Sequence, residues 1–234
     1  EYYDIRKWWG KPTMLTPYTS ITFRLAPCVY FLTTFAAACM LPGFLGGQTG
    51  FGDVFVFVYL LALGRFFMAV SSMDAATAFV EPVVMLAVLS NVLHTNSTSL
   101  AGMSLRTDEV NLTVAGVLTC IAFFLVLLAE NSRIPVDNPD THLELTMIHE
   151  CMTLEYSGRL LALIHWASQL KLLVFLVLFA MLYLPLDLPV VFKVLIGAVA
   201  VGVVETLNNK MRLFKVRVYL AAAGLMLLLA VVAQ

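Results

Sequence analysis

Charged residues are scarce in this sequence. Asp, Glu, Lys and Arg make up 12% of the 234 residues, against roughly 25% in an average soluble domain, while 61% of the residues are hydrophobic. The mean hydropathy is +0.90. These values exclude a soluble globular fold. The formal net charge of -1 also leaves no basic excess with which to neutralise nucleic-acid phosphates, so nucleic acid is not an expected partner.

Metal-binding and nucleotide-binding motifs are missing as well. The four cysteines form no C-x-x-C pair, which argues against a disulfide framework or an iron–sulfur cluster held by this chain alone. His149 and Glu150 begin an H-E-x-x-H pattern, but Thr153 stands where the second histidine would be. No G-x-S-x-G, P-loop or G-x-G-x-x-G motif occurs. The sequence therefore predicts no metal or redox cofactor in this chain.

What the sequence does contain is a series of long apolar runs. A membrane-spanning helix needs about 20 mostly apolar residues. Six runs fit that template, and a seventh, Phe79 to Leu93, is short. The six are Ile21 to Leu41, Asp53 to Ser71, Val110 to Ala129, Ser168 to Leu184, Pro189 to Glu205 and Tyr219 to Ala233. The predicted fold is an all-α, polytopic transmembrane helix bundle that forms a single integral membrane domain over residues 1–234.

The cations indicate how this bundle is oriented. With the N-terminus in the cytoplasm, ten Lys and Arg residues fall in inside loops, and Arg106 alone falls outside. The positive-inside rule favours this topology strongly. It places the long connection from Glu130 to Trp166 on the cytoplasmic side.

Acidic residues concentrate in that connection, residues 130–166. Six of the fifteen acids lie within 26 residues: Glu130, Asp137, Asp140, Glu144, Glu150 and Glu155. Pro135 and Pro139 prevent a straight continuation of the preceding helix. The stretch that follows is too apolar for a solvated loop. It could be an amphipathic surface helix with a solvated acidic face, or a row of carboxylates lining a water-filled cavity at membrane depth.

Three glutamates, Glu81, Glu130 and Glu205, lie at or inside predicted helix ends. A charge in mid-membrane is unfavourable by roughly 2.5–3.5 kcal/mol on insertion scales, so each carboxylate needs a partner, a cavity or a proton. Carboxylates in such positions are typical of a proton relay. Glu205 could alternatively snorkel to the lipid headgroups. The helix-embedded cations Arg65, Lys171 and Lys193 are the expected counter-charges, although the sequence does not say which cation pairs with which acid.

One motif is recognisable beyond its composition. The run from Ala129 to Gly158 reads AENSRIPVDNPDTHLELTMIHECMTLEYSG. It resembles the signature of the membrane component of respiratory complex I that abuts the quinone site. It resembles more closely the corresponding membrane subunits of group 4 [NiFe] hydrogenases, including formate hydrogenlyase and hydrogenase 4. Further agreement comes from EYYDIRK at the start, from YLLALGRFF with MDAATAF, from VEP, and from MRLFKV. The resemblance covers essentially the whole chain.

This resemblance implies a non-catalytic subunit of a prokaryotic inner-membrane oxidoreductase. Such a subunit docks a hydrophilic arm, made of hydrogenase large and small subunits and an iron–sulfur subunit, and contacts antiporter-like membrane subunits. The [NiFe] centre and the iron–sulfur clusters would lie in those partners. Together with the charge pattern, the resemblance assigns ion coupling to Glu81, Glu130, Asp137, Glu144, Glu150, Glu155 and Glu205. It assigns Arg133 as a charge partner, and Leu143, Leu145 and Tyr156 to docking.

The sequence departs from the family pattern in three places. Family members have a further N-terminal helix and a loop between the positions of Phe79 and Val80, and these would raise the seven visible helices to eight. Nine residues separate E-L from E-Y-S-G here, more than in complex I, which makes quinone binding doubtful. Two alternatives remain open: a quinone-site subunit of complex I, and a stand-alone secondary transporter, although no inverted repeat is visible.

Overall fold

The computed structural model describes residues 2–14, 21–42, 52–72, 80–105, 113–136, 153, 156–184, 189–209, 211 and 213–233. Regular secondary structure in these ranges is helical, apart from one isolated bridge between Asp53 and Ser99. The helices are α1 (Tyr2–Trp9), α2 (Ile21–Met40), α3 (Val54–Ser72), α4 (Val80–Thr95), α5 (Leu100–Leu105), α6 (Val114–Glu130), α7 (Gly158–Tyr183), α8 (Val190–Leu207) and α9 (Leu213–Val232).

The predicted all-α membrane bundle is confirmed. Helices α2, α3, α7 and α8 are each long and apolar enough to cross a membrane, and α4, α6 and α9 contain shorter apolar stretches. Two helices begin earlier than the sequence predicts. Helix α7 begins at Gly158, ahead of Ser168, and so includes Arg159 and His165. Helix α9 begins at Leu213, ahead of Tyr219.

The spanning helices pack in two linked groups. Helix α2 packs against α3 and α7, whereas α9 packs against α6 and α4, and α7 also contacts α8. The largest core cluster includes Phe57, Phe123, Phe175 and Leu227. Helix α8 is peripheral, because Gly197 and Val201 are its only buried residues. Its exposed apolar side chains fit contact with lipid or with another membrane subunit.

Helices α2 and α3 approach each other closely at Gly64. A Cβ atom added there would clash with Thr33 Oγ1 and would lie 3.1 Å from a ring carbon of Tyr30. The missing side chain therefore sets the distance between the two helices, as small residues do in membrane helix pairs. Gly64 directly precedes Arg65, so this contact also fixes where the guanidinium group of Arg65 enters the bundle.

The C-terminus of α6 is closed by a compact turn. The amide N–H of Asn131 donates to the carbonyl of Leu127, and that of Arg133 donates to the carbonyl of Leu128. Ser132 has a φ of 52°, the left-handed conformation common just after a helix. The chain therefore reverses directly after Glu130. This leaves the Glu130 main-chain carbonyl without a helical donor and turned toward neighbouring side chains.

Candidate functional site

Glu130 stands at the centre of a buried charge cluster. Its Oε1 atom lies 2.8 Å from Nη2 of Arg65 and 2.7 Å from Nζ of Lys171. The same two cations also donate to the Glu130 main-chain carbonyl, each over 3.1 Å. One residue at the end of α6 thus accepts charge-assisted hydrogen bonds from α3 and α7 together. We call Arg65, Glu130 and Lys171 the charge cluster.

The charge cluster is shielded from the surroundings of the chain. The side chains of Arg65 and Glu130 are each 6% exposed and that of Lys171 is 4% exposed. Lys171 lies near the middle of the 26-residue helix α7, which is long and apolar enough to cross a membrane. The C-terminal end of a helix carries partial negative charge, which adds to the attraction between Glu130 and the two cations. Ion pairs in so dry a place interact far more strongly than pairs at a surface.

Part of the hydrogen-bonding capacity of the cluster is unused. Within the described ranges, Nε and Nη1 of Arg65 and Oε2 of Glu130 have no hydrogen-bond partner. Buried polar groups are nearly always paired with protein or with ordered water. Water molecules or another polar side chain would satisfy these two donors and this acceptor.

A tyrosine adjoins the cluster from a fourth helix. Tyr30 of α2 is buried and lies close enough to Arg65 and Glu130 to interact with both electrostatically. The sequence analysis did not identify it, since a tyrosine in an apolar run is more often a packing residue. Its position one turn before Thr34, itself a buried polar residue, is the only signal the sequence offers.

Arg133 and Glu205 form an ion pair with each other, whereas Lys193 does not pair with a described acid. Arg133 Nη1 lies 3.5 Å from Oε1 of Glu205, and their side chains are 20% and 27% exposed. This pair joins the turn after α6 to the end of α8, so Arg133 does not serve Glu130. Lys193 sits near the start of α8 and makes no ion pair within the part of the chain that the structure describes.

Several predicted coupling and docking residues lie outside the described residues: Asp137, Leu143, Glu144, Leu145, Glu150 and Glu155. Glu81 is in the first turn of α4, where only the backbone is described. Tyr156 is described and is 4% exposed within the chain. Its ring stacks on Phe23 at 4.0 Å, and its hydroxyl donates to Ser71 Oγ at 3.0 Å. Tyr156 therefore anchors the end of the acidic connection against α2 and α3.

A second polar contact inside the bundle was also missed by the sequence analysis. Asn91 of α4 donates through Nδ2 to the hydroxyl of Tyr183 in α7, over 2.6 Å. Interhelical hydrogen bonds of this kind stabilise membrane bundles. An asparagine in the middle of an apolar helix is a detectable signal, but its partner cannot be found from sequence. In the described ranges, no group of three His, Cys, Asp or Glu residues is arranged to hold a metal ion.

A bundle of apolar helices with a buried Arg–Glu–Lys cluster defines the class: an integral membrane protein with ionisable groups in its interior. The profile of the NADH dehydrogenase family matches residues 1–233, and the chain belongs to that family. The resemblance to a membrane component of complex I is thereby confirmed.

Two curated relatives are similar over much of the chain. Hydrogenase-4 component C of Escherichia coli (strain K12) is 32% identical over 203 residues, covering 79% of this chain and 63% of that protein. Formate hydrogenlyase subunit 4 of the same organism is 28% identical over 206 residues, covering 79% of this chain and 65% of that protein. These matches confirm the resemblance to the hydrogenase membrane subunits. The chain spans slightly less than two thirds of the length of either relative.

A solved structure has the same fold. It belongs to the membrane-bound sulfane sulfur reductase, an archaeal respiratory membrane complex, and matches with a TM-score of 0.75. The match covers 99% of this chain and 85% of that one, at 14% sequence identity. At this identity the likeness extends to the fold alone.

Proposed function

We propose that this chain is the membrane anchor and ion-coupling subunit of a complex-I-like, membrane-bound [NiFe] hydrogenase of the formate hydrogenlyase type. The observation that carries the proposal is the charge cluster, in which Glu130 is buried between Arg65 and Lys171. The two curated relatives are named as parts of a hydrogenase and of a formate hydrogenlyase, which supports the choice of complex.

Charge balance suggests how the cluster couples ions to movement. Protonating Glu130 in place would leave two buried cations without their counter-charge, which is strongly unfavourable. Proton uptake at Glu130 is therefore favoured when Arg65 or Lys171 moves away at the same time. Proton transfer and a side-chain rearrangement become a single event. The unpartnered Oε2 of Glu130 gives the proton a place to arrive.

The other acidic residues would extend this relay. We assign Glu81, Asp137, Glu144, Glu150 and Glu155 to it on the grounds of sequence pattern and family resemblance. Glu205, which pairs with Arg133, is also assigned to the relay. Hydrogenase large and small subunits, an iron–sulfur subunit and antiporter-like membrane subunits are the proposed partners. They would carry the [NiFe] centre and the iron–sulfur clusters. The acidic connection would face the cytoplasm of a prokaryotic cell.

The relay is tested by replacing Glu130 with Gln, which keeps the size of the side chain and removes its titratable proton. Dye-linked hydrogenase activity should stay near normal, because that assay bypasses the membrane arm. Hydrogen-linked ion translocation in vesicles should fall by at least about tenfold, since positioned proton-transfer groups commonly contribute on the order of a hundredfold. Glu81→Gln and Glu155→Gln should behave in the same way.

The matched control is Asp53→Asn, which removes a carboxylate from an exposed position just before α3. This variant should translocate normally. If Glu130→Gln assembles and translocates at the wild-type rate, Glu130 has a structural role and the relay assignment is wrong. A quinone-site function would be favoured instead if quinone analogues inhibited the purified complex.

The docking role of the acidic connection gives a separate prediction. Leu143 and Leu145 belong to a stretch too apolar to remain in water, and such surfaces mark interfaces. Replacing both with Asp should release the hydrophilic subunits from membranes, as measured by co-sedimentation. Met14→Asp, at a position 78% exposed outside the helices, is the control and should leave the subunits bound. Unchanged co-sedimentation of the double variant would contradict the docking assignment.

A further inference from the structure

One end of the bundle carries cations and tryptophans on three adjoining segments: α1 with the residues after it, the first turn of α2, and the first three turns of α7. We call this surface the basic–aromatic rim. Its members are Arg6, Lys7, Trp8, Trp9, Lys11, Arg24, Arg159 and Trp166. Neither the charge cluster nor the proposed relay uses any of them.

Short contacts hold the three segments of the rim together. The amide N–H of Met14 donates to Ser157 Oγ over 2.9 Å. Gly158, with a φ of 58°, lies so close to Lys11 and Pro12 that an added Cβ would be 2.8 Å from each of their carbonyl oxygens. Phe23, beside Arg24, stacks on Tyr156 just ahead of α7. The end of α1 and the starts of α2 and α7 therefore share one edge of the molecule.

Aromatic rings occupy the middle of this edge. The ring of Trp8 lies 4.4 Å from that of His165, and the ring of Trp9 lies 6.4 Å from that of Trp166. Trp166 also contacts Phe31 of α2, at 5.2 Å. Trp9 is 46% exposed and Trp166 is 47% exposed. Tryptophans at helix ends with exposed edges are typical of the membrane–water interface.

All five cations of the rim are exposed, and Asp4 is the one acid described on the same three segments. On either side of Arg24, α2 presents exposed apolar side chains at helical spacing. They form a stripe that consists of Ile21, Leu25, Leu32 and Phe35. Positive charge beside an apolar stripe, with indole rings between them, matches the two chemical halves of a phospholipid with a negative headgroup.

We propose that the basic–aromatic rim is a selective binding site for anionic phospholipid. The headgroup phosphate pairs with the cations of α1, α2 and α7, while an acyl chain lies along the exposed stripe of α2. The charge excess favours this occupant over a neutral lipid. A bound anionic lipid would hold α1 against the start of α7, next to the segment that Tyr156 anchors.

The tryptophans provide the test, because all three in the chain lie in the rim. The full chain is reconstituted in bilayers of phosphatidylcholine that contain a small fraction of brominated phosphatidylglycerol. A matched sample contains the same fraction of brominated phosphatidylcholine. Bromine quenches tryptophan fluorescence only at contact. The negative lipid is expected to quench more strongly at equal fraction, by several-fold in relative binding constant.

Removing rim cations should abolish this selectivity. Arg6→Gln, Lys7→Gln and Arg24→Gln change exposed side chains and should each lower the relative binding constant about fivefold. Lys193→Gln, a cation on α8 outside the rim, should leave it unchanged. Equal quenching by the two lipids in the wild-type chain, or full selectivity in the rim variants, would overturn the proposal. Loss of the hydrophilic subunits from the rim variants, with lipid selectivity intact, would assign the surface to a protein partner and also overturn it.

Discussion

Glu130→Leu is expected to destabilise the folded chain by about 3–5 kcal/mol, the usual effect of removing one partner from a buried ion pair. The substitution leaves Arg65 and Lys171 buried with no carboxylate, since both hold the same oxygen of Glu130. The partly exposed pair between Arg133 and Glu205 gives the comparison. Glu205→Leu should change stability by about 1 kcal/mol or less, because a partly exposed pair is screened. Unfolding in mixed micelles by denaturing detergent measures both.

A triple substitution separates the structural role of the cluster from its functional role. Replacing Arg65 and Lys171 with Met in the Glu130→Leu background removes every charge and keeps similar side-chain volumes. Buried ion clusters replaced in this way are often neutral or even stabilising. The triple variant should therefore recover most of the lost stability and still fail to translocate ions. A triple variant as unstable as Glu130→Leu alone would show that packing, and not unpaired charge, explains the loss.

Gly64→Ala is the second substitution expected to have a large effect. The new methyl group would meet Thr33 Oγ1 and the Tyr30 ring at distances that require these side chains or the two helices to shift. Overpacking of this kind destabilises by about 1–3 kcal/mol. Because Tyr30 adjoins the charge cluster, ion translocation should fall together with stability. Thermal unfolding in detergent, with translocation measured in parallel, checks both effects.

Two further variants make this prediction specific. Gly202→Ala is the matched control: a Cβ at Gly202 of α8 would meet no atom of the described residues within 4 Å, so the change should be neutral or slightly stabilising in a helix. Thr33→Ala removes the nearest obstacle, and among the described residues the Thr33 hydroxyl donates to carbonyls of its own helix, those of Val29 and Tyr30. Combined with Gly64→Ala it should restore part of the stability. If Gly64→Ala alone leaves stability unchanged, the helices separate more easily than the packing implies.

The sequence predicts the spanning helices well and the pairing of their charges poorly, for one physical reason. A membrane helix that is apolar on all sides carries no periodic signal to say which face points inward. Arg65, Lys171 and Glu130 each stand out as ions in apolar runs, yet they are far apart along the chain. Their meeting depends on how α3, α6 and α7 pack. The sequence likewise gives no means of assigning Arg133 to Glu205.

Two local features escaped prediction for different reasons. The helix α1 has only eight residues and mixes charges with aromatics, so it gives no spanning signal. The first turns of α7 contain Arg159 and His165, which lower the local hydropathy although the helix is continuous through them. In both cases the deciding interactions are tertiary: α1 packs on α7, and Trp8 covers His165.

The turn that closes α6 couples Glu130 directly to the start of the acidic connection. The residue that holds both cations is also the last residue of its helix, one peptide bond from the segment that leads into the acidic connection. A movement of that segment would reach the charge cluster without passing through another packed helix. Lengthening a 2.7 Å ion pair to about 4 Å weakens it by roughly 2 kcal/mol at an effective dielectric constant near 20. A displacement of little more than an ångström can thus change the equilibrium constant between two charge states of the cluster more than tenfold.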